Sequence, residues 1–265
     1  MLKNRIDHAQ DAYHRRDLKG TKEAHTKKAI HASMEEHQKS TGKYLGDWVY
    51  GALDGIITTF AVVSGVAGAH LSSAIVLILG FANLLADGLS MGVGNYISSK
   101  SELEYIRRER RREEWEIEHY PEGETEEIRA IYKKKGFKGK DLDRVVKVIT
   151  SDKKVWVDTM MFDELGLVEE DKTPFKSGVA TFVAFLIAGF VPLIAYVVSY
   201  FIPGLLSNAY YISIVFTAII LFIVGALRHK LTGQSFIKSG MEMLIIGGLA
   251  ASVSYLVGFL LQGLA

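Results

Sequence analysis

The chain has no cysteine, which excludes disulfides, thiolate zinc sites and cysteine-held iron-sulfur clusters together. Any metal ligand must therefore be a carboxylate, imidazole, thioether or amide. Charge is missing from long stretches: Ser177–Leu227 has no Asp, Glu, Lys or Arg, Gly55–Ser99 has Asp87 alone, and Ser239–Ala265 has Glu242 alone. Each stretch is long enough for one or two membrane spans of about 20 residues. A net charge of +1 supplies no global field for nucleic acid, so no nucleic-acid partner is expected; no organic cofactor is expected either. The opening MLKNRIDHAQDAYHRRDLKG lacks the apolar core of a signal peptide and is too acidic for a transit peptide, so the first span is expected to drive insertion. Proline is scarce, and Pro192 and Pro203 fit a kink and a loop in the apolar half.

What is present is sharply segregated, and predicts an all-α polytopic membrane protein with five transmembrane helices and a helical cytoplasmic insert between the second and third spans. Its parts are a polar arm at 1–43, spans one and two at 44–99, the insert at 100–173 and spans three to five at 174–265. The first span reads at about Leu45–Ala69, and the last three at about Phe175–Tyr200, Ala209–Leu227 and Phe236–Leu261. The arm carries His8, His14, His25, His31 and His37 at spacings that share no face, and a solvated surface role is the simpler reading. The arm before the first span and the RHKLTGQSFIK connection are basic, whereas AGAHLSSA and FIPGLLSNAYY carry no Lys or Arg. The positive-inside rule then puts the N-terminus and insert in the cytoplasm.

Function is sought first along GFANLLADGLSMGVGNYISS, where Asn83, Asp87, Met91 and Asn95 follow at i+4 steps on one helical stripe. An ionised Asp near the bilayer centre costs about 2.5–3.5 kcal/mol on insertion scales, so Asp87 should line a bundle interior or a polar path. In the first span, Asp47 and Asp54 lie seven residues apart on the same face, beside a Gly51/Gly55 pair that would let another helix approach closely. Asp47, next to Trp48, suits a solvated helix end as well as a site; Asp54 lies deeper, where function is the better reading.

The insert's first helix continues the second span and sets Glu102, Glu109, Glu113 and Glu116 on one face at steps of seven, four and three. PEGETEEI adds Glu124 and Glu127, and VDTMMFDELG adds Met160, Met161 and Glu164. Carboxylates at this spacing with thioethers nearby suit a first-row divalent ion, Fe(II) foremost, with Mn, Co or Zn as alternatives. The interleaved Arg107, Arg108, Arg110, Arg111 and Arg112 allow an equally simple reading as a solvated, salt-bridged helix. Glu116 and His119 make a single Glu-x-x-His, half of the di-iron signature, which leaves a membrane-anchored iron oxidase as an alternative alongside a non-transporting metal sensor.

DWVYGALDGIITTFAVVSG, ANLLADGLSMGVGNYIS, the Glu-rich helix with its later Met pair, and TFVAFLIAGFVPLIAY resemble the vacuolar iron transporter family from Gly46 to the C-terminus. The resemblance implies a proton-coupled antiporter that exports Fe(II) from the cytoplasm, as a five-span homodimer in the lipid bilayer whose two first spans line the path. It implies ion handling by Asp47, Asp54 and Met91, and a cytoplasmic metal-binding domain using Glu102, Glu113, Glu116, Glu124, Glu127, Met160, Met161 and Glu164. The Lys/Glu-rich insert leads us to expect a prokaryotic cell membrane, with a vacuolar membrane as the alternative.

Overall fold

The structure, a computed structural model, describes residues 5–29, 43–169, 172–202, 204, 208–229 and 234–264. It divides into two units, 1–43 and 44–265. The first contains α1 (Arg5–His14) and α2 (Leu18–Ala24), the latter capped by Asp17, whose carboxylate accepts from the Lys19 N–H. His8, His14 and His25 are exposed there. His31 and His37 lie outside the described residues, as does Pro203.

Among the described residues, every regular element of the second unit is a helix. Its membrane part begins with α3 (Leu45–Gly68) and α4 (Ser73–His119), the latter one unbroken helix of 47 residues. The apolar first half of α4 is a membrane span, and its charged second half continues unbroken beyond it, as the sequence predicts. Spans also form at α10 (Ala209–Leu227) and α11 (Phe236–Leu261). The remaining crossing is a bent pair, α8 (Pro174–Gly189) and α9 (Val191–Phe201), which meet at 46°. Pro192 in the first turn of α9 has no N–H to give the preceding turn, and the helix breaks just before it at Phe190. Counting that pair as one crossing gives five helical spans. Their exposed faces are rich in large apolar side chains, among them Ile78, Leu89, Val215, Leu249 and Leu256, the surface a lipid environment accepts.

α3 is central to the bundle because its glycine face admits α8 at backbone contact. A Cβ on Gly51 would meet the Thr181 carbonyl oxygen at 2.2 Å, and one on Gly55 the Phe185 carbonyl oxygen at 2.5 Å. Around this seam Ile56, Val63, Leu84, Phe185 and Leu193 are buried. At the insert-side end of the bundle Arg228, just after α10, pairs with Glu242 in the second turn of α11 at 3.4 Å.

The insert is built on the charged half of α4 by α5 (Pro121–Lys134), α6 (Gly139–Thr150) and α7 (Lys153–Thr159), which runs into a π turn at Met160–Glu164. Pro121 ends α4 by forcing Tyr120 out of helical geometry, at φ −140° and ψ 59°, and then opens α5. Asp152 caps α7, accepting from the Val155 N–H at 3.0 Å. Leu142, Val146 and Ile149 of α6 repeat at helical spacing and close with Ile117, Ile128 and Trp156 on one apolar core. The π turn is closed by the Leu165 N–H on the Met160 carbonyl, and the consecutive Met160 and Met161 both face that core, at 0% and 4% exposure.

Candidate metal-handling sites

Two groups of carboxylates stand out. In the insert, α4 presents Glu113 and Glu116 one turn apart and α5 brings Glu124 against them, so that carboxylate oxygens of the three lie within 4.8 Å of one another. Three oxygen donors at that separation can share one divalent ion. Glu113 and Glu124 are buried, and each keeps one oxygen, Oε2, without a hydrogen-bond partner. Burial pushes the carboxyl of Glu113 up to about 7, with the charge of Glu164 adding to the effect and Arg112 opposing it. Glu124 also rises to about 7, through burial and then the charge of Glu127. Glu164 is raised by burial and by Glu127, to which it is hydrogen-bonded. All five glutamates therefore act on one another electrostatically, and a cation placed among them would displace protons near neutral pH.

Arginine is part of the same site. Arg112 donates to Glu113 at 2.7 Å and lies 3.2 Å from Glu109 and 3.9 Å from Glu116. Other arginines turn outward: Arg110 pairs with Asp158, and Arg108 with Glu109 at 2.7 Å. The salt-bridged helix and the carboxylate cluster are thus both present, and they are joined through Arg112 and Glu109. Met160 and Met161 lie in the insert's apolar core with Ile117 and Ile128, each four residues from a cluster glutamate on its own helix.

Within the membrane, the i+4 stripe of α4 does not act as one row, because its members meet different neighbours. Asn95 donates through Nδ2 to Asp47 Oδ1 at 3.0 Å and to Thr181 Oγ1 at 2.7 Å, tying α4, α3 and α8 together. Asp87 stands within electrostatic range of Asp54, and both are half-buried. Met91 packs against the apolar cluster containing Leu84 and Phe185. The Asn83 side-chain nitrogen is buried without a partner. Glu102 stands apart from the three-glutamate group and lines a small cavity with Asp47. Thr181 and Ser177 of α8 were not anticipated; their i+4 spacing on an otherwise small and apolar face is the signal that could have found them.

A sequence profile of the VIT family matches residues 45–259. The chain belongs to the VIT family. A protein of Toxoplasma gondii named vacuolar iron transporter is 39% identical over 264 residues, covering 96% of this chain and 87% of the relative. One of the same name from Plasmodium berghei is 36% identical over 99% of this chain and 98% of its own length. Vacuolar iron transporter 1 of Arabidopsis thaliana is 33% identical over 86% of this chain and 90% of its own. The match to the first two takes in most of the N-terminal arm as well as the VIT region. Members of the VIT family so named are transporters, and this chain is accordingly a transporter and not an enzyme, which removes the iron oxidase alternative.

Proposed function

We propose that this chain exports Fe(II) from the cytoplasm in exchange for protons. Iron as cargo is supported by the names of its relatives. The observation that carries the direction and the coupling is that a carboxylate cluster at the water-facing end of α4 shares that helix with the acid-bearing stripe of the membrane bundle. In this reading Glu113, Glu116, Glu124, Glu127 and Glu164 collect the ion, with Met160 and Met161 lending preference for a softer metal, and Asp47, Asp54 and Met91 pass it through the span. The same oxygens bind either metal or proton, so release of one at the far side is linked to uptake of the other.

The homodimer expected from the resemblance is supported by the half-exposed state of Asp54 and Asp87 in a single chain. Facing lipid, either carboxylate would be strongly disfavoured, and a second copy placed against that face would shield both. The relatives' names favour a vacuolar membrane over the prokaryotic cell membrane expected from composition.

The test is flux by the pure protein in vesicles loaded at acidic pH. Fe(II) should enter when supplied from the side bearing the insert, and the lumen should become more alkaline as it does. Iron movement without any proton movement would overturn the exchange, and binding without flux would favour a sensor.

A further inference from the structure

A cavity of about 170 Å³ lies where the membrane bundle meets the insert, with Asp47 of α3, Ser99 and Glu102 of α4, and Ser177 of α8 in its wall. Three features set it apart from an ordinary surface cleft. Ser177 is only 1% exposed, and its hydroxyl has no hydrogen-bond partner. Asp47 is held by Asn95 through Oδ1, which leaves Oδ2 buried and unpartnered. The hydrogen bond fixes the carboxylate while sparing one oxygen, and burying an unpaired carboxylate oxygen is costly unless something occupies it part of the time.

We propose that Asp47, Glu102 and Ser177 form a waypoint for a divalent cation, between the collecting glutamates of the insert and Asp54 in the span. The proposal rests on the transport reading for its purpose, but the site itself is a matter of binding. Glu102 is exposed and stands at the open side, so it can take a hydrated ion; Asp47 and Ser177 supply oxygen deeper in. Ile106 and Pro174 close the wall with apolar surface, and the volume has room for an ion that keeps several waters. Lys172 also borders the cavity. With oxygen donors alone and no thioether, the waypoint should discriminate poorly among Fe(II), Mn(II) and Co(II). Selection would then fall to the methionine-containing sites on either side.

Mn(II) is the probe, followed by electron paramagnetic resonance with the full chain in lipid nanodiscs. Glu113→Gln, Glu116→Gln and Asp54→Asn are included in the background to silence the neighbouring sites. Glu102→Gln should weaken the remaining Mn(II) binding at least about tenfold, as should Asp47→Asn, the losses expected when a group supporting a metal site is removed. If both hold one ion, the double variant should be no weaker than the worse single one. Glu102→Asp, which keeps the charge, should recover much of the affinity. Unchanged binding in Glu102→Gln, or losses that multiply in the double variant, would overturn the proposal. Failure of the transport reading looks different: no flux in vesicles while the Mn(II) cycle behaves as described.

Discussion

Glu113 and Glu116 of the insert share their helix turn with Arg112, whereas Asp47, Asp54 and Asp87 lie in a stretch, Tyr44–Ser99, that contains no Lys or Arg. The insert also has water at its edge, so its acids can rest without metal by holding protons and leaning on a guanidinium. The acids of the spans have at best an amide, Asn95 on Asp47, and an uncompensated carboxylate in hydrocarbon must carry either a proton or a cation. The difference assigns different work to the two regions. A site that is comfortable when empty suits collection, and one that is not suits exchange of one cation for another.

The largest effect should come from Asp54→Asn, which keeps volume and hydrogen bonding and deletes the charge. Withholding about 2.5–3.5 kcal/mol of charge compensation from the ion should cut flux on the order of 100-fold with the fold intact. Normal flux in vesicles would erase the distinction between the regions. Next, Glu113→Gln with Glu116→Gln should lower metal affinity of the full chain at least about tenfold, and slow flux at low Fe(II) while sparing the rate at saturation. A matching loss at saturating metal would make the insert part of the path. The buried Met160 and Met161 are better changed to Leu than to Ala in such work, because truncation in this core would cost about 2–5 kcal/mol each in stability.

A third prediction concerns pH. Glu124 has its pKa raised from 4.5 to about 7, so below the unfolded value it is protonated in both states and is neutral to stability. As pH climbs, the folded state is increasingly disfavoured, fully so above the folded value. Glu124→Gln should therefore raise Tm at about pH 8 and leave it unchanged near pH 4, followed by fluorescence of the buried Trp156. Equal Tm values at the higher pH would mean that Arg112 already balances the whole cluster. By the same sign, metal binding to the insert should fade as pH drops below about 7. The smallest effect is expected from Met91→Leu, which keeps the packing against Phe185 and removes the thioether. It should weaken Fe(II) and Co(II) transport a few-fold more than Mn(II), and equal losses in competition assays would assign Met91 to packing alone.

The spans and the continuous second helix were legible because charge segregation and length suffice to define them. Gly51 and Gly55 also announced a close neighbour, though only the folded chain shows that it is α8, supplied from more than a hundred residues away. The stripe of Asn83, Asp87, Met91 and Asn95 was legible as a stripe and misleading as a unit. Helical spacing says which residues share a face, and says nothing of what each meets across it, so Asn95 holds Asp47 while Asp87 stands by Asp54. Glu102 shows the same limit: its seven-residue step to Glu109 continues the carboxylate face, yet seven residues of helix carry it about 10 Å toward the membrane. Met160 and Met161 are buried in succession at the start of a π turn, and periodicity of 3.6 offers no signal for that turn.

The unbroken run of α4 from Ser73 to His119 is about 70 Å long, and it makes the two regions ends of one lever. Glu113 sits about 40 Å along the axis from Asp87, so a tilt of about 5° at the span swings the glutamate by about 3 Å. That displacement exceeds a metal-oxygen bond. Because α5 follows α4 at Pro121 and shares its apolar core, such a tilt would carry Glu113, Glu116 and Glu124 together, shifting a collected ion relative to the mouth of the span without opening the bundle.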